Sequence, residues 1–489
     1  MMHLGIDLGT SGVKAVLTGA DGALLAQATA PLVVSTPQPL WSEQDPKAWW
    51  HATVAALRQL GTSHDLSAVR AIGLAGQMHG AVLLDAGEQV LRPAILWNDG
   101  RSGMECRELE AAEPNSRALT GNLAMPGFTA PKLLWVRRHE PDLFARTARV
   151  LLPKDWLRLQ MTGEAISDMS DASGTLWLDV GRRRWSPEML AATDLSESHM
   201  PRLVEGTAVG GCLRPEAAGA LGLRAGIAVA GGGGDNAAGA VGIGCVEPGD
   251  AFVSLGTSGV IFVSDPGFLP DPARTVHAFC HCLPDSWHRM SVILSAGASL
   301  AWLAGMTGTA EAALLAEAER EHPRDRPVFL PYLTGERTPH NNPAACGVFF
   351  GLSSGTTRAA MTLAVLEGVA FALADGLDAL EARGGRISEL TAIGGGSRSA
   401  LWLGIVAAAM GRTLTTTDGS EVGPALGAAR LARVCGGDAS AAETFFKPAT
   451  TARFDPSPAL IEMLMPRRAL YRKLYPALRP LFPVPEIAP

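Results

Sequence analysis

Leu8-Gly9-Thr10-Ser11-Gly12-Val13 recurs letter for letter as Leu255-Gly256-Thr257-Ser258-Gly259-Val260. Short apolar runs flank both copies: His3–Ile6 and Lys14–Leu17 around the first, Ala251–Ser254 and Ile261–Val263 around the second. Such runs predict strands. Two glycines around Thr-Ser predict a tight reversal that leaves N–H groups and hydroxyls pointing outward. Concave arrays of N–H donors bind anions, phosphate above all. A P-loop would need Gly-Lys-Ser/Thr opening a helix, which neither copy has. Only the first copy is preceded by an acid, Asp7, able to hold Mg²⁺ through water; Ser254 stands at the matching place. A single hexapeptide of this kind fits an ordinary hairpin equally well. Its recurrence half a chain apart implies two related domains, each offering a loop to one polyphosphate.

At 489 residues the chain exceeds what one core supports. A hydrophobic content of 47% with 18% charged residues is that of a well-packed protein. A net charge of −7 argues against a nucleic-acid partner. Anionic ligands must then be met by local N–H groups and metal. The N-terminus runs directly into a strand without a leader pattern. No stretch offers eighteen uncharged apolar residues, so no membrane partner is expected. The seven cysteines are odd in number and scattered, which does not predict a disulfide framework. Together these features predict a cytoplasmic enzyme.

Along the chain, Asp21-Gly22 predicts a second hairpin turn, and Asp45-Pro46 caps a helix through Leu60 with Trp50, Val54 and Leu57 on one face. Strands Val69–Leu74 and Ala81–Leu84 enclose Gly76-Gln77-Met78-His79-Gly80, and a polar loop follows at Trp97–Arg101. Loops at strand ends of layered α/β domains are where ligands bind. His79 is suited to hydrogen-bond a hydroxylated substrate, or equally to tie down a turn. Helix patterns cover Pro131–Glu140 and Pro153–Met161, and Asp168-Met169-Ser170-Asp171 reads as a short polar loop.

Strand Ile227–Ala230 meets Gly231-Gly232-Gly233-Gly234-Asp235-Asn236 before a helix of small residues. Asp235 at this elbow is either a helix N-cap or a functional carboxylate in a backbone that a ligand approaches closely. A boundary near Cys245–Asp250 divides the chain into residues 1–245 and 246–489. His277, Cys280, His281 and Cys282 lack the paired Cys-x-x-Cys spacing of a zinc site. Gly335–Pro343 is a loop of turn formers, and Thr357–Arg383 a buried helix. Gly394-Gly395-Gly396 forms a third tight turn, open to a flat base or a phosphate. Beyond Gly436 the sequence carries no motif and ends in a surface helix, Pro466–Leu474.

Taken together, Gly5–Val13, Leu40–Pro46, Gly76–Gly80, Ile95–Arg101, Met125–Trp135, Asp168–Thr175, Gly232–Ala240, Leu255–Val260, Tyr332–Pro343, Gly394–Gly396 and Gly423–Arg430 resemble the FGGY family of carbohydrate kinases. The resemblance runs to about residue 435. It implies an α/β fold of two actin-like (ribonuclease H-like) domains around a catalytic cleft, ATP and Mg²⁺ as cofactors, a small sugar as partner, and a homodimer. By motif, Asp235 resembles the general base and Asp7 the acid that positions Mg²⁺. Met78, His79 and Asn236 match the sugar contacts, Thr10, Ser11, Gly256 and Thr257 the phosphate loops, and Gly395 and Gly396 the turn near adenosine. The pair Met78-His79 implies D-xylulose and argues against glycerol. Ala400 stands where glycerol-specific members carry Asn, which implies steric, apolar recognition of adenine. An Arg that contacts the sugar in some members has no counterpart around Met125–Thr129. The rival readings are a kinase of another ketose or polyol and an actin-like ATP-binding module without sugar chemistry.

Overall fold

The computed structural model describes residues 1–321, 323, 325–418 and 423–483. The end of the 436–489 tail lies outside the described residues. Met2–Leu8 (β1), Gly12–Gly19 (β2) and Leu24–Pro31 (β3) form the antiparallel opening that the two turns predict. Val69–Gly76 (β4) runs parallel to β1, Val209–Cys212 (β5) is an edge, and Ala228–Ala230 (β6) is parallel to β4. The sheet order is β5-β6-β4-β1-β2-β3.

The second half repeats the plan. Ala251–Leu255 (β7) and Gly259–Asp265 (β8) are the second hairpin, extended antiparallel by His277–Cys280 (β9) and Trp287–Ile293 (β10). Glu389–Ile393 (β11), Thr413–Thr417 (β12) and Thr450–Phe454 (β13) complete the order β9-β10-β8-β7-β11-β12-β13. Hairpin, parallel neighbours and antiparallel edge match strand for strand. Each half is a mixed sheet with the repeated hexapeptide at its central hairpin, the expected pair of actin-like domains.

Helix Pro46–Leu60 is capped by Asp45, whose carboxylate accepts from Lys47 N at 3.0 Å. Its buried face is Trp49, Thr53, Leu57 and Leu60, one residue out of step with Trp50 and Val54, which lie at the margin. The rotation places the Trp49 indole N–H on Gln44 Oε1 at 2.9 Å, a partner that Trp50 would not reach. Helix Arg358–Glu381 is long and apolar enough to span a membrane by length and composition, but nearly all of it is buried inside the second half.

The tail also departs from expectation. Its helix runs from Pro458 to Leu478 and buries Leu464, Tyr471, Leu474 and Tyr475 in the second core. Arg467 reaches the buried Glu367 at 2.7 Å. Interior Pro466 and Pro476 bound the shorter surface helix read from sequence, because proline removes a donor each time.

One helix of the second half packs into the first, in addition to the shared core around Phe279 and bonds such as His277 to Asn122. Pro424–Cys435 belongs to the second half by sequence but lies across β1 and β4. Gly5 and Gly73 are cross-strand partners there. A Cβ on Gly5 would sit 2.0 Å from Ala425 O, and one on Gly73 1.8 Å from Ala428 O. Gly427 of the same helix meets helix Asp235–Gly242, where a Cβ would lie 1.7 Å from Ala238 O. Sheet and both helices therefore touch backbone to backbone.

The loop 335–343 is fastened to the end of β10. Thr338 N donates to Val292 O at 3.0 Å, and its hydroxyl donates to Thr275 O at 2.8 Å. Glu336 Oε1 accepts from Leu294 N and Arg337 N, while Oε2 is buried without a partner. Burial pushes this carboxyl up to about 8 in spite of the two N–H donors.

Gly73→Ala should destabilise the protein by about 1–3 kcal/mol or more, since the contacting atoms are backbone and cannot rotate away. Urea unfolding of the variant would show this, and an unchanged midpoint would mean the helix has room to move. For Glu336, a folded-state value above the unfolded one means proton uptake on folding. Stability should therefore decline as pH rises from the ordinary carboxyl value of 4.5 towards about 8. Glu336→Gln abolishes this component, so the wild-type Tm should fall relative to the variant across that window. Parallel Tm curves would mean the carboxyl is ionised throughout.

Candidate active site

The carboxyl ends of parallel strands converge on one point. Asp7 at the end of β1 is opposite Ala75 of β4, and the short strand Gly233–Gly234 pairs with Ala75 and Gly76 on the other flank. Asp7 and the Gly-rich elbow are thus two strand spacings apart, roughly 10 Å. Gly234 takes the N-cap position and Asp235 the first helical one, so Asp235 does not act as the N-cap. Its Oδ1 accepts from Asn236 N at 2.7 Å and Asn236 Nδ2 at 2.9 Å.

Burial raises the Asp235 carboxyl to about 6, against those two bonds. Asp7 is raised to about 7 by burial first and by the charge of Asp235 second, with cross-strand Lys14 opposing. Asp7 Oδ1 is buried without a hydrogen-bond partner. Two acids that resist ionising together, one holding an unpartnered oxygen, fit a site where a cation and a proton are exchanged. Among the described residues no cluster of three or more His, Cys, Asp or Glu is placed to hold a metal. His277 instead bonds Asn122 Oδ1 at 2.8 Å.

Asp168–Asp171 is a strand end and a helix start, not a loop. Asp168 ends a short strand and caps helix Met169–Ser173, wholly buried beneath the elbow. Lys154 Nζ lies 2.6 Å from Asp155, 2.8 Å from Asp168 and 3.2 Å from Asp171, with no exposed side chain among them. Burial works against the ammonium, but the three carboxyls outweigh it and hold the proton on. Ser170 Oγ donates to Asp168 Oδ2 at 2.5 Å and accepts from Gly234 N at 3.0 Å. Arg158 donates to the carbonyls of Ala230 and Gly231. Both ends of the glycine run are therefore held from below by one ionic cluster. Breaking a buried pair of this kind costs about 3–5 kcal/mol. Periodicity carries no signal for it; only the Lys154-Asp155 pair at a helix start and the unplaced Asp168–Asp171 hinted at charge to be satisfied.

Met78 packs on Gly234, where a Cβ would come within 2.9 Å of its Sδ. His79 has φ 69°, and its carbonyl accepts from Lys132 Nζ at 2.8 Å and Thr129 Oγ1 at 3.1 Å, which holds that left-handed backbone. His79 Nδ1 is 2.8 Å from Gly174 O. A carbonyl only accepts, so Nδ1 carries the proton and Nε2 presents a lone pair. Burial pushes the imidazole down to about 3, which keeps it neutral. Lys132, buried and donating also to Gly127 O, was not foreseen from sequence.

In the first hairpin, Thr10 Oγ1 donates to Gln77 Oε1 and accepts from Trp97 Nε1, each at 2.9 Å. Gln44 Nε2 holds Thr10 O at 2.7 Å. The Thr10 hydroxyl is thus occupied, and the loop's free donors among the described residues are the N–H groups of Thr10 and Ser11 with the exposed Ser11 hydroxyl. In the second hairpin, Gly256 and Thr257 carbonyls accept from Gly297, Ala296 and Ala298 N–H groups at the start of helix Gly297–Thr307. Gly256, Thr257, Gly395 and Gly396 line one cleft of about 1080 Å³ with Trp302, Leu315, Ala400 and Leu401. Ligand clefts usually span about 300–1,000 Å³. The sequence candidates therefore fall into two groups: Asp7, Met78, His79, Asp235 and Asn236 around the first sheet's end, and the four glycine-loop residues in the second half's cleft.

Residues 2–242 match the N-terminal domain of the FGGY family of carbohydrate kinases, and residues 251–435 its C-terminal domain. The chain is 54% identical to a xylulose kinase of Escherichia coli over 98% of its own length and 100% of the relative's. A solved xyloylose kinase from Brucella ovis superposes with a TM-score of 0.94 at 50% identity, covering 98% of this chain and 100% of that one. A xylulose kinase from Rhodospirillum rubrum gives 0.90 at 31% identity, covering 99% and 100%. The duplicated hairpin, the carboxylate pair at the strand ends and these likenesses agree: the chain belongs to the FGGY family of carbohydrate kinases.

Proposed function

We propose that this protein transfers the γ-phosphoryl group of ATP to the terminal hydroxyl of D-xylulose, giving D-xylulose 5-phosphate and ADP. The observation that carries the reading is the buried carboxyl pair at the parallel strand ends, Asp7 with an Oδ1 unpartnered among the described residues and Asp235 at the Gly-rich elbow, together with a His79 whose Nδ1 is bonded to Gly174 O. The likeness over the whole chain to xylulose kinases supports the choice of sugar.

Phosphoryl transfer demands chiefly alignment and charge stabilisation. Asp235 takes the proton of the terminal hydroxyl as its oxygen bonds to the γ-phosphorus and the bridging oxygen leaves with ADP. A raised carboxyl is a better proton acceptor than an ordinary one, provided it is ionised at the working pH. Asn236 fixes the Asp235 oxygen that is not used and can offer its remaining polar groups to the sugar. His79 accepts a sugar hydroxyl at Nε2, and Met78 shapes the floor. The amides of Thr10, Ser11, Gly256 and Thr257 face phosphate oxygens, while Gly395, Gly396 and Ala400 admit the adenosine. The unpartnered Asp7 Oδ1 fits Mg²⁺, which when bound with ATP offsets charge on the phosphate oxygens. A homodimer in the cytoplasm belongs to the same reading.

ADP release measured across pentuloses, hexuloses and glycerol tests the substrate. D-xylulose should give the highest kcat/KM, and another sugar leading the series would overturn the assignment. Asp235→Asn should keep ATP and sugar binding and cut turnover by about 10²–10⁴, the usual share of a general base. Near-normal turnover in the folded variant would leave Asp235 a structural role only.

A further inference from the structure

Two stretches stand outside the chemistry so far: the loop 335–343 and the tail helix Pro458–Leu478. They are joined. Tyr475 stacks on His340, ring centroids 3.6 Å apart at 13°, and its hydroxyl accepts from Asn342 Nδ2 at 3.1 Å. Tyr471 OH bonds Tyr332 OH at 2.8 Å, and Tyr332 OH also reaches His340 Nε2 at 3.2 Å. Inside this clamp Glu336 and Asn342 exchange backbone bonds of 2.9 and 2.8 Å. The loop is thus pinned by β10 on one side and by the tail on the other.

What the clamp presents is Arg337. Its guanidinium makes no hydrogen bond, ion pair or ring contact among the described residues, although the residue is only half exposed and sits beside a buried carboxyl. A partly desolvated arginine with five unused donors is set for a ligand. Its direction follows from the strands. Thr338, the next residue, is bonded to Thr275 O, two residues before His277. His277 lies 5.7 Å from Phe128, and Phe128 4.6 Å from His79, ring centre to ring centre. The Arg337 charge is felt at His79 and His277, whereas the charges acting on Asp7 are Asp235 and Lys14. Arg337 therefore lies on the side of His79 and His277, which the ring contacts through Phe128 link to one another.

We propose that Arg337, held by the tail helix, is a specificity-determining residue that donates to a non-reacting oxygen of the bound sugar from the second half of the protein. The inference rests on the sugar-kinase reading above. It gives the sugar contacts on both halves: His79, Asp235 and Asn236 from the first, Arg337 from the second. It also gives the motif-free tail a task, with Tyr475 as a positioning residue acting through His340 and Asn342.

The test uses the full chain with steady-state kinetics and thermal unfolding. Arg337→Ala should raise the KM for D-xylulose about ten- to a hundred-fold, the range for losing a hydrogen bond to a charged group, and leave the KM for ATP within about two-fold. Arg337→Lys keeps the charge but not the planar fork, and should raise the sugar KM by an intermediate factor. Tyr475→Leu should raise the sugar KM in the same direction and spare the KM for ATP. A folded Arg337→Ala with unchanged sugar KM, or a rise confined to ATP, overturns the proposal. If Arg337→Ala does not fold, an unchanged sugar KM in Arg337→Lys overturns it instead. An unchanged sugar KM in Tyr475→Leu overturns the part given to the tail. A wild type that phosphorylates D-xylulose while Arg337 proves silent sinks this inference alone, whereas a wild type inactive on D-xylulose sinks the reading beneath it.

Discussion

The contact on which the rest depends is made by atoms that are not there. Gly5, Gly73 and Gly427 let the helix Pro424–Cys435 touch β1, β4 and the Asp235 helix through backbone alone. Any Cβ at these positions would meet a carbonyl at 2.0 Å or less. Two consequences follow. The first sheet and the second half of the chain become one packed unit at this seam, and the height of the Asp235 helix above the strand ends is fixed by close packing. Asp7 and Asp235 stand on elements that the same helix touches, so the separation between them is set without any bond between the two.

The elbow needs a second constraint, because four consecutive glycines have little preference of their own. Arg158 and Ser170 supply it from beneath, one at Ala230 and Gly231, the other at Gly234. Both draw on the same buried group of charges around Lys154. A cluster of this sort adds little to stability over an apolar equivalent, since desolvation offsets the Coulomb attraction. What it does supply is position. The glycine run stays slim enough for a ligand to approach, yet the peptide ahead of Asp235 has one orientation. The raised carboxyls follow from the same burial, since the surroundings that order the elbow also exclude water from it.

The fold was legible where the pattern is local. Repeated hexapeptides between apolar runs gave both hairpins, and further short apolar runs gave the parallel strands β4, β6 and β11 beside them. The candidate site residues came from motifs, and the structure places them at strand ends and in one cleft. What stayed hidden was every feature made by groups distant in sequence. Trp49 displaces Trp50 because its indole finds Gln44; Asp168–Asp171 showed no partner because Lys154 is fourteen or more residues away; the tail helix looked short because of two prolines that packing tolerates. Arg337 was equally silent, since an arginine in a loop of turn formers reads as surface. Its partial burial, with no hydrogen bond or ion pair to the guanidinium among the described residues, separates it from an ordinary solvated cation.

The duplication explains why one molecule can hold both a sugar and a nucleotide without building two unrelated sites. Both halves present the same hairpin at the same place in the same sheet order. They differ in what surrounds it. The first hairpin follows Asp7 and has its Thr10 hydroxyl tied to Gln77 and Trp97, beside the carboxylate pair. The second follows Ser254 and opens onto a cleft walled by Trp302, Leu315 and Leu401, with glycines at its turn. The two loops thus keep one backbone and differ in their surroundings, a buried carboxyl pair at the first and an open cleft at the second. The helix Pro424–Cys435 joins the halves at the seam, alongside bonds such as those of His277 to Asn122 and Trp287 to Val180.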